Sequence, residues 1–329
     1  MRVVPRPQNT LEFAAAVEPH RRELLVHCYQ MLGSVQEAQD LLQETMLRAW
    51  QAYERYDSAL ASMRTWLYRI ATNACLNALE SRARRPLPSG VGPPFDDPDG
   101  VFVPGFEVPW LQPIPDGLLG SIPDDPATLA VERSGLRLAL VAAMQLLPAK
   151  QRATLILRDV LGFSAAEVGD ILGVSTGAVT SALQRARATL AGPSLHADLL
   201  HEPEPEQREI VDRYMAAFER ADIESIVRML AEQVILEMPP MRNWFVGPVA
   251  YSRFMSRVFY TRGNDWRTVP ISANRQPGMV AYARQADHYQ LHTLQIFTVE
   301  RGAVVRTTVY QSPEVFAIFD LPEMLIEGD

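Results

Sequence analysis

Two clusters of polar side chains carry the chemistry that spacing alone makes visible. Asp40, Gln43 and Glu44 stand at i, i+3 and i+4, so two carboxylates and an amide share one helix face. That face lies opposite an apolar stripe of Ala38, Leu42, Met46, Ala49 and Tyr53. Taken alone, the triplet also suits a solvated surface; its company raises the functional reading. Twenty residues on come Arg64, Trp66, Arg69, Asn73 and Asn77, with Arg69, Asn73 and Asn77 in one stripe that Arg84 extends. Arginine and asparagine reach phosphates and base edges, and an indole stacks on bases or wedges between them. By itself Trp66 fits a core position as well.

The elements that must position such groups are legible nearby. Val35–Tyr53 and Met63–Arg84 have helical periodicity, the second turning Leu67, Ile70, Ala74 and Ala78 inward. In the stretch 136–190 both inner boundaries of a helix-turn-helix are present. Ser164 and Glu167 form a capping box, Gly173 supplies a left-handed stop, and Ser175 caps the next helix after a three-residue turn. This spacing lets the second helix lie in a DNA major groove. Proline and glycine recur from Pro86 to Pro126, so an extended connector is expected there, with helices resuming at about Ala127. After a Pro- and Glu-rich HEPEPEQ linker at 201–207 the grammar changes. Two helices over Glu206–Leu230 precede strands at Val234–Met238, Met279–Arg284, His288–Val299 and Ala303–Tyr310, the last two joined by a Glu300-Arg301-Gly302 turn. That block is an α+β domain folding separately from the helical part.

Net charge is −8, unfriendly for an isolated DNA binder, and its distribution matters more than its sum. Residues 1–85 carry 11 arginines against 9 acids; residues 86–130 carry 7 acids and no basic residue. Residues 131–192 carry 7 basic against 4 acidic residues, and residues 193–329 carry 13 against 19. Two mildly basic blocks thus flank an acidic connector, and a further molecule must supply much of the phosphate contact. Lys150 is the one lysine among 31 basic residues, which fits a GC-rich genome. Cys28 and Cys75 lack metal or redox spacing and read as buried thiols of a cytosolic protein. No apolar run approaches the roughly 18–20 residues that span a bilayer, and no secretory signal opens the chain. A cytoplasmic location without membrane, metal or cofactor is therefore expected.

The segment EAQDLLQETMLRAWQAYERYDSALASMRTWLYRIATNACLNALESRARR resembles the promoter-opening domain of bacterial sigma factors, and the helix-turn-helix resembles their second DNA-binding domain. Without a long domain between them, the chain resembles the extracytoplasmic-function group of the sigma-70 family. The resemblance implies that Asp40, Gln43 and Glu44 dock on the clamp of the core RNA polymerase large subunit, the flap being a further contact. It implies that the loop Asp57–Met63 with Arg64, Trp66, Arg69, Asn73 and Asn77 recognises and melts the −10 element, capturing an unstacked base. Ser175, Thr176, Thr180, Ser181 and Gln184 then face −35 bases, while Arg185 and Arg187 hold phosphates. Many relatives have basic residues where this chain has Thr180 and Ala182, so −35 binding should be weak without polymerase.

VPWLQPIPD at 108–116 resembles, loosely, the Trp-Leu-Pro linker of sigma factors that carry a C-terminal SnoaL-like domain. An acidic strand of this kind suits the RNA exit path of the polymerase; a solvated spacer is the alternative. The third block resembles the SnoaL-like cone, with helices closing a curved antiparallel sheet around a pocket. Glu237, Trp244, Tyr282, His288 and His292 are its pocket candidates, although no acid–base pair can be placed from spacing. The implied architecture is a helical promoter-opening domain at 8–85, the linker at 86–126, a helix-turn-helix domain at 127–192 and a SnoaL-like domain at 205–325.

The expected function is a sigma factor, not an enzyme, regulated in cis by its C-terminal domain. Expected partners are core polymerase and promoter DNA, with an anti-sigma factor and a small-molecule ligand of the cone also admitted. A one-component helix-turn-helix regulator leaves the DLLQET and RTWLYRIATNACLNAL segments without a job. A SnoaL-like isomerase or cyclase leaves both DNA-binding domains unexplained.

Overall fold

The apolar stripe of the second amphipathic segment becomes one wall of a helical core. In the computed structural model of the chain, residues 7–80, 84–120, 136–190 and 206–326 are described, and they fall into two units. The first unit draws its described residues from Met1–Arg84, Gly117–Gly135 and Ala139–Leu199. It opens with α1 (Pro7–Val17), α2 (Arg21–Leu32), α3 (Val35–Ala52) and α4 (Met63–Glu80). Gly33 ends α2 at φ 70°, and the Ser34 hydroxyl accepts from the Glu37 amide to start α3. Leu24, Cys28, Leu67, Ala71 and Cys75 are fully buried between α2, α3 and α4, and both cysteines are free thiols.

The same unit holds the helix-turn-helix. Scaffold helices Leu138–Gln145 and Ala149–Leu155 run into a π-turn at Ile156–Val160. Then come Ala165–Leu172 and the recognition helix Thr176–Leu190. The capping box forms as the residues dictate: the Ser164 amide donates to Glu167 at 2.8 Å and the Glu167 amide to the Ser164 hydroxyl at 3.2 Å. Gly173 is left-handed at φ 64°, and the Ser175 hydroxyl caps the recognition helix through the Ala178 amide. Gly169 lets the turn close, since a Cβ there would stand 2.8 Å from the Val174 carbonyl. Arg152, only 3% exposed, fastens the scaffold to α2 by donating to the Met31 carbonyl and to Gln145 Oε1. Burial lowers its pKa to about 10.

The second unit contains Arg85–Asp116, Leu136–Leu138 and the described residues after 205. Its sheet has strands β1 (Leu230–Glu237), β2 (Trp244–Val246), β3 (Trp266–Ala273), β4 (Gln276–Gln285), β5 (His288–Glu300), β6 (Ala303–Tyr310) and β7 (Met324–Ile326). The order is β2-β1-β6-β5-β4-β3, with β7 on β5. Every pairing is antiparallel except β1 with β6, so the sheet is mixed and not purely antiparallel as expected. The parallel pair joins β1 to the last strand of the β3–β6 meander, which the long connection between them makes possible. The hairpin between β5 and β6 turns through Arg301 and Gly302, both at positive φ, which is the requirement of a type I′ turn. Helices Glu206–Glu219, Ile223–Arg228 and Pro248–Arg262 cover the sheet. Tyr214, Phe218, Phe245, Phe259 and Phe297 are among the large buried members of the shared core.

The connector is irregular, as its prolines require, but it is packed instead of free. Leu111 and Ile114 are fully buried, and the Ile114 amide and carbonyl both bond Asn274 at the β3–β4 turn. The resumption of helix near Ala127 and most of the 201–207 linker lie outside the described residues.

Candidate functional site

On α3, Asp40 and Gln43 are exposed and Glu44 is partly so; Glu44 pairs with Arg48 at 2.5 Å, one turn on. Beneath them Ala38, Leu42 and Ala49 are buried, so the carboxylate face is held out by the core on the other side of the helix. On α4, Arg69, Asn73 and Asn77 are exposed at i, i+4 and i+8, one continuous stripe. On the recognition helix, Ser175, Thr176, Thr180, Ser181, Gln184, Arg185 and Arg187 are all exposed, while Val179, Ala186 and Leu190 are buried. Arg187 is engaged already: its guanidinium grips Asp159 of the π-turn with two bonds of 2.9 and 2.7 Å.

Two residues of the α4 cluster sit elsewhere. Trp66 is 7% exposed and packs against Tyr56, with ring centroids 4.9 Å apart. Arg64 is half-buried between domains of the unit. It donates to Glu23 at 2.9 Å and to the Leu161 carbonyl at 3.4 Å, and lies over the rings of Phe163 (4.3 Å) and Tyr68 (5.1 Å). In this arrangement Arg69, Asn73 and Asn77 are brought together at the surface, and Arg64 and Trp66 are not among them. Beside Arg64, His27 is fully buried with Nε2 2.9 Å from the Thr72 hydroxyl; burial, then the Arg64 charge, lowers its pKa to about 3.

The cone encloses a cavity of about 210 Å³, walled by Phe218, Phe254, Trp266, Gln311 and His292 among others. His292 stacks 5.3 Å from Trp266 and meets Gln311 Nε2 at 3.1 Å; burial pushes its pKa down, which keeps the ring neutral near pH 7. The other four expected pocket residues do not line this cavity. Glu237 is completely buried against the connector, accepting from Arg306 at 2.6 Å, the Ser89 hydroxyl at 2.7 Å and the Ser89 amide at 3.2 Å. Trp244, its partner across β1–β2, donates its indole N–H to the Gly92 carbonyl and accepts from the Phe95 amide. Tyr282 packs with Val280 and Tyr289 in a separate cluster, and His288 meets Asp287 at 3.0 Å. Along β4, Met279, Ala281 and Ala283 join the main core while Val280 and Tyr282 form the second cluster, so Tyr282 lies on the other face of its strand.

Sequence reasoning missed the residues that hold the connector. Arg253 grips Asp97 at 2.9 Å and Asp99 at 2.6 Å, and Arg242 pairs with Glu107. Arg257 donates to the carbonyls of Pro98 (3.0 Å) and Gly100 (2.6 Å) and lies 4.4 Å over the ring of Phe102, a wall of the cavity. The available signal was an arginine pair at i, i+4, Arg253 and Arg257, matched to the acidic DDPD of a segment without basic residues.

Comparison with known proteins agrees with this layout. Residues 16–85 match the family profile "Sigma-70 region 2", residues 137–190 match "Sigma-70, region 4" and residues 211–307 match "SnoaL-like domain". The chain is 44% identical over 326 residues to the ECF RNA polymerase sigma factor SigG of Mycobacterium tuberculosis, covering 98% of this chain and 87% of the relative. It is 29% identical over 218 residues to SigJ of the same species, covering 66% and 62% respectively. The crystal structure of Mycobacterium tuberculosis SigJ superimposes with a TM-score of 0.62 at 22% identity, covering 94% of this chain and 98% of that one, a likeness of fold.

Proposed function

The chain belongs to the extracytoplasmic-function RNA polymerase sigma factors, and from that premise we propose how its residues divide the work of promoter recognition. Asp40, Gln43 and Glu44 dock on a basic surface of the core polymerase clamp, which supplies the affinity that a net charge of −8 withholds. Arg69, Asn73 and Asn77 read the −10 element, joined by Arg64 and Trp66 once α4 is released from its present contacts. The recognition helix sets Ser175, Thr176, Thr180, Ser181 and Gln184 against −35 bases, with Arg185 and Arg187 on phosphates. Such a protein works in the cytoplasm beside DNA. Among the described residues no helix is long and apolar enough to cross a membrane.

One observation carries this reading: exposed carboxylates on α3 and a capped, exposed recognition helix occur in one helical unit, each with its apolar side buried. The C-terminal domain acts in cis, because it grips the tether between the two DNA-binding domains through Arg253, Arg242 and Glu237. An anti-sigma factor remains a candidate partner for the same helical faces. The test is transcription by purified protein with core polymerase on a cognate promoter. Initiation should require the protein and fail with Asp40→Ala plus Glu44→Ala, while truncation after about residue 200 should change the output. Full activity of the double variant would overturn the docking face.

A further inference from the structure

The connector contributes one residue to the cavity of the cone. Phe102 forms part of its wall, edge-on to Phe254 at 6.2 Å and beneath the guanidinium of Arg257, which also lines the cavity. The charges of the connector are spent one turn earlier on the helix, where Arg253 takes Asp97 and Asp99. Arg257 receives only the neutral carbonyls of Pro98 and Gly100. Among the described residues no carboxylate pairs with Arg257 or with Arg262, a second cation of the wall.

A guanidinium at an apolar wall without a counter-charge favours an anion. Of the other polar groups in the wall, His292, Gln295 and Gln311 are neutral and offer hydrogen bonds, Arg262 adds a second cation, and the lining holds no carboxylate to oppose an anion. Phe218, Phe254 and Trp266 select a flat or chain-like apolar body. At about 210 Å³ the space is smaller than the roughly 300–1,000 Å³ of drug-sized sites, which limits the occupant to one ring system or a short chain.

We propose that the cone binds a small apolar carboxylic acid whose carboxylate takes Arg257 from the Pro98 and Gly100 carbonyls, loosening the connector at Phe102. The regulatory consequence rests on the cis-acting role proposed above, but binding and loosening are measurable without it. The probes are phenylacetate, indole-3-acetate and octanoate, each beside its neutral amide, on the full-length protein.

Titration calorimetry should show binding of at least one acid and a loss of at least about tenfold for its amide and for Arg257→Gln. Hydrogen exchange should quicken in residues 95–105 on adding that acid, since the amides of Phe95, Val103 and Gly105 are bonded to the cone. Arg257→Gln should exchange faster there before any addition and ignore the acid. No binding by any of the three acids, equal binding of the amides, or binding with unchanged exchange at 95–105 each overturns the proposal. Transcription that does not respond to the acid, with these binding and exchange results intact, would instead count against the cis-acting role.

Discussion

The guanidinium of Arg64 lies 4.3 Å from the ring centre of Phe163, joining α4, the helix proposed to read the −10 element, to the turn that opens the helix-turn-helix. The −10 and −35 elements are centred some 25 base pairs apart, on the order of 85 Å at 3.4 Å per pair. A contact of this length cannot persist while both domains sit on their elements, so promoter engagement must break it. In the role proposed above, Arg64 then exchanges an aromatic ring and Glu23 for a phosphate or a base.

Phe163→Ala should therefore open the helical unit. The ring is 2% exposed and also meets Tyr68 edge-on at 5.0 Å, so its loss should cost about 3 kcal/mol or more in urea unfolding. With dyes at Asn77 and Gln184, energy transfer should report a longer mean separation in Phe163→Ala and Arg64→Gln than in the parent. Identical transfer in all three proteins would show that this contact does not hold the domains together.

The buried ion pair that anchors the connector gives a second expectation. Glu237 is wholly enclosed, and Arg306 is 17% exposed at 2.6 Å. Removing one partner of such a pair leaves an uncompensated charge and costs about 3–5 kcal/mol, whereas replacing both by apolar residues is much milder. Glu237→Ala should thus destabilise the C-terminal unit more than the double change Glu237→Leu with Arg306→Met. Ser89→Ala should loosen the connector without that loss. Thermal unfolding of the three variants beside the parent checks the order.

What was legible beforehand was local. Ser164, Glu167, Gly173 and Ser175 act on backbone groups within four residues, so their chemistry can be read in a window and the helix-turn-helix boundaries follow. Glu237 and Ser89 are 148 residues apart, and nothing near either names the other. Pattern could show that Glu237 faces inward on a strand, but not that connector, instead of cavity, lies opposite. Likewise β2 is only three residues long and β3 carries a proline, so neither shows enough alternation to be recognised. Trp66 fitted both a core and a wedge, and local spacing cannot decide between them.

His27 makes stability depend on pH. In the unfolded chain it takes up a proton near pH 6.5, in the folded chain only near pH 3. Between those values the unfolded state binds more protons, so this contribution is complete above pH 6.5 and declines as pH falls towards 3. Each tenfold change in proton affinity is worth about 1.4 kcal/mol, which makes the total a few kcal/mol. Denaturant midpoints at pH 7, 5.5 and 4 should fall more steeply for the parent than for His27→Gln. Parallel curves would mean that His27 is not the buried titrating group.

Arg187 supplies the last expectation. Its two bonds to Asp159 occupy the guanidinium, yet the side chain stays 61% exposed at the end of the recognition helix, where a phosphate would compete for it. The pair is largely solvent-exposed, so breaking it costs little stability, on the order of 1 kcal/mol or less. Asp159→Asn should leave folding nearly intact while freeing a cation for DNA. Binding of the helix-turn-helix to −35 DNA should tighten, and the slope of log affinity against log salt should steepen by roughly one phosphate contact. Arg187→Gln should move both quantities the other way from Asp159→Asn, and the double variant should match Arg187→Gln alone. A salt slope that ignores Asp159→Asn would place Arg187 among the residues that hold the π-turn, not among those that hold DNA.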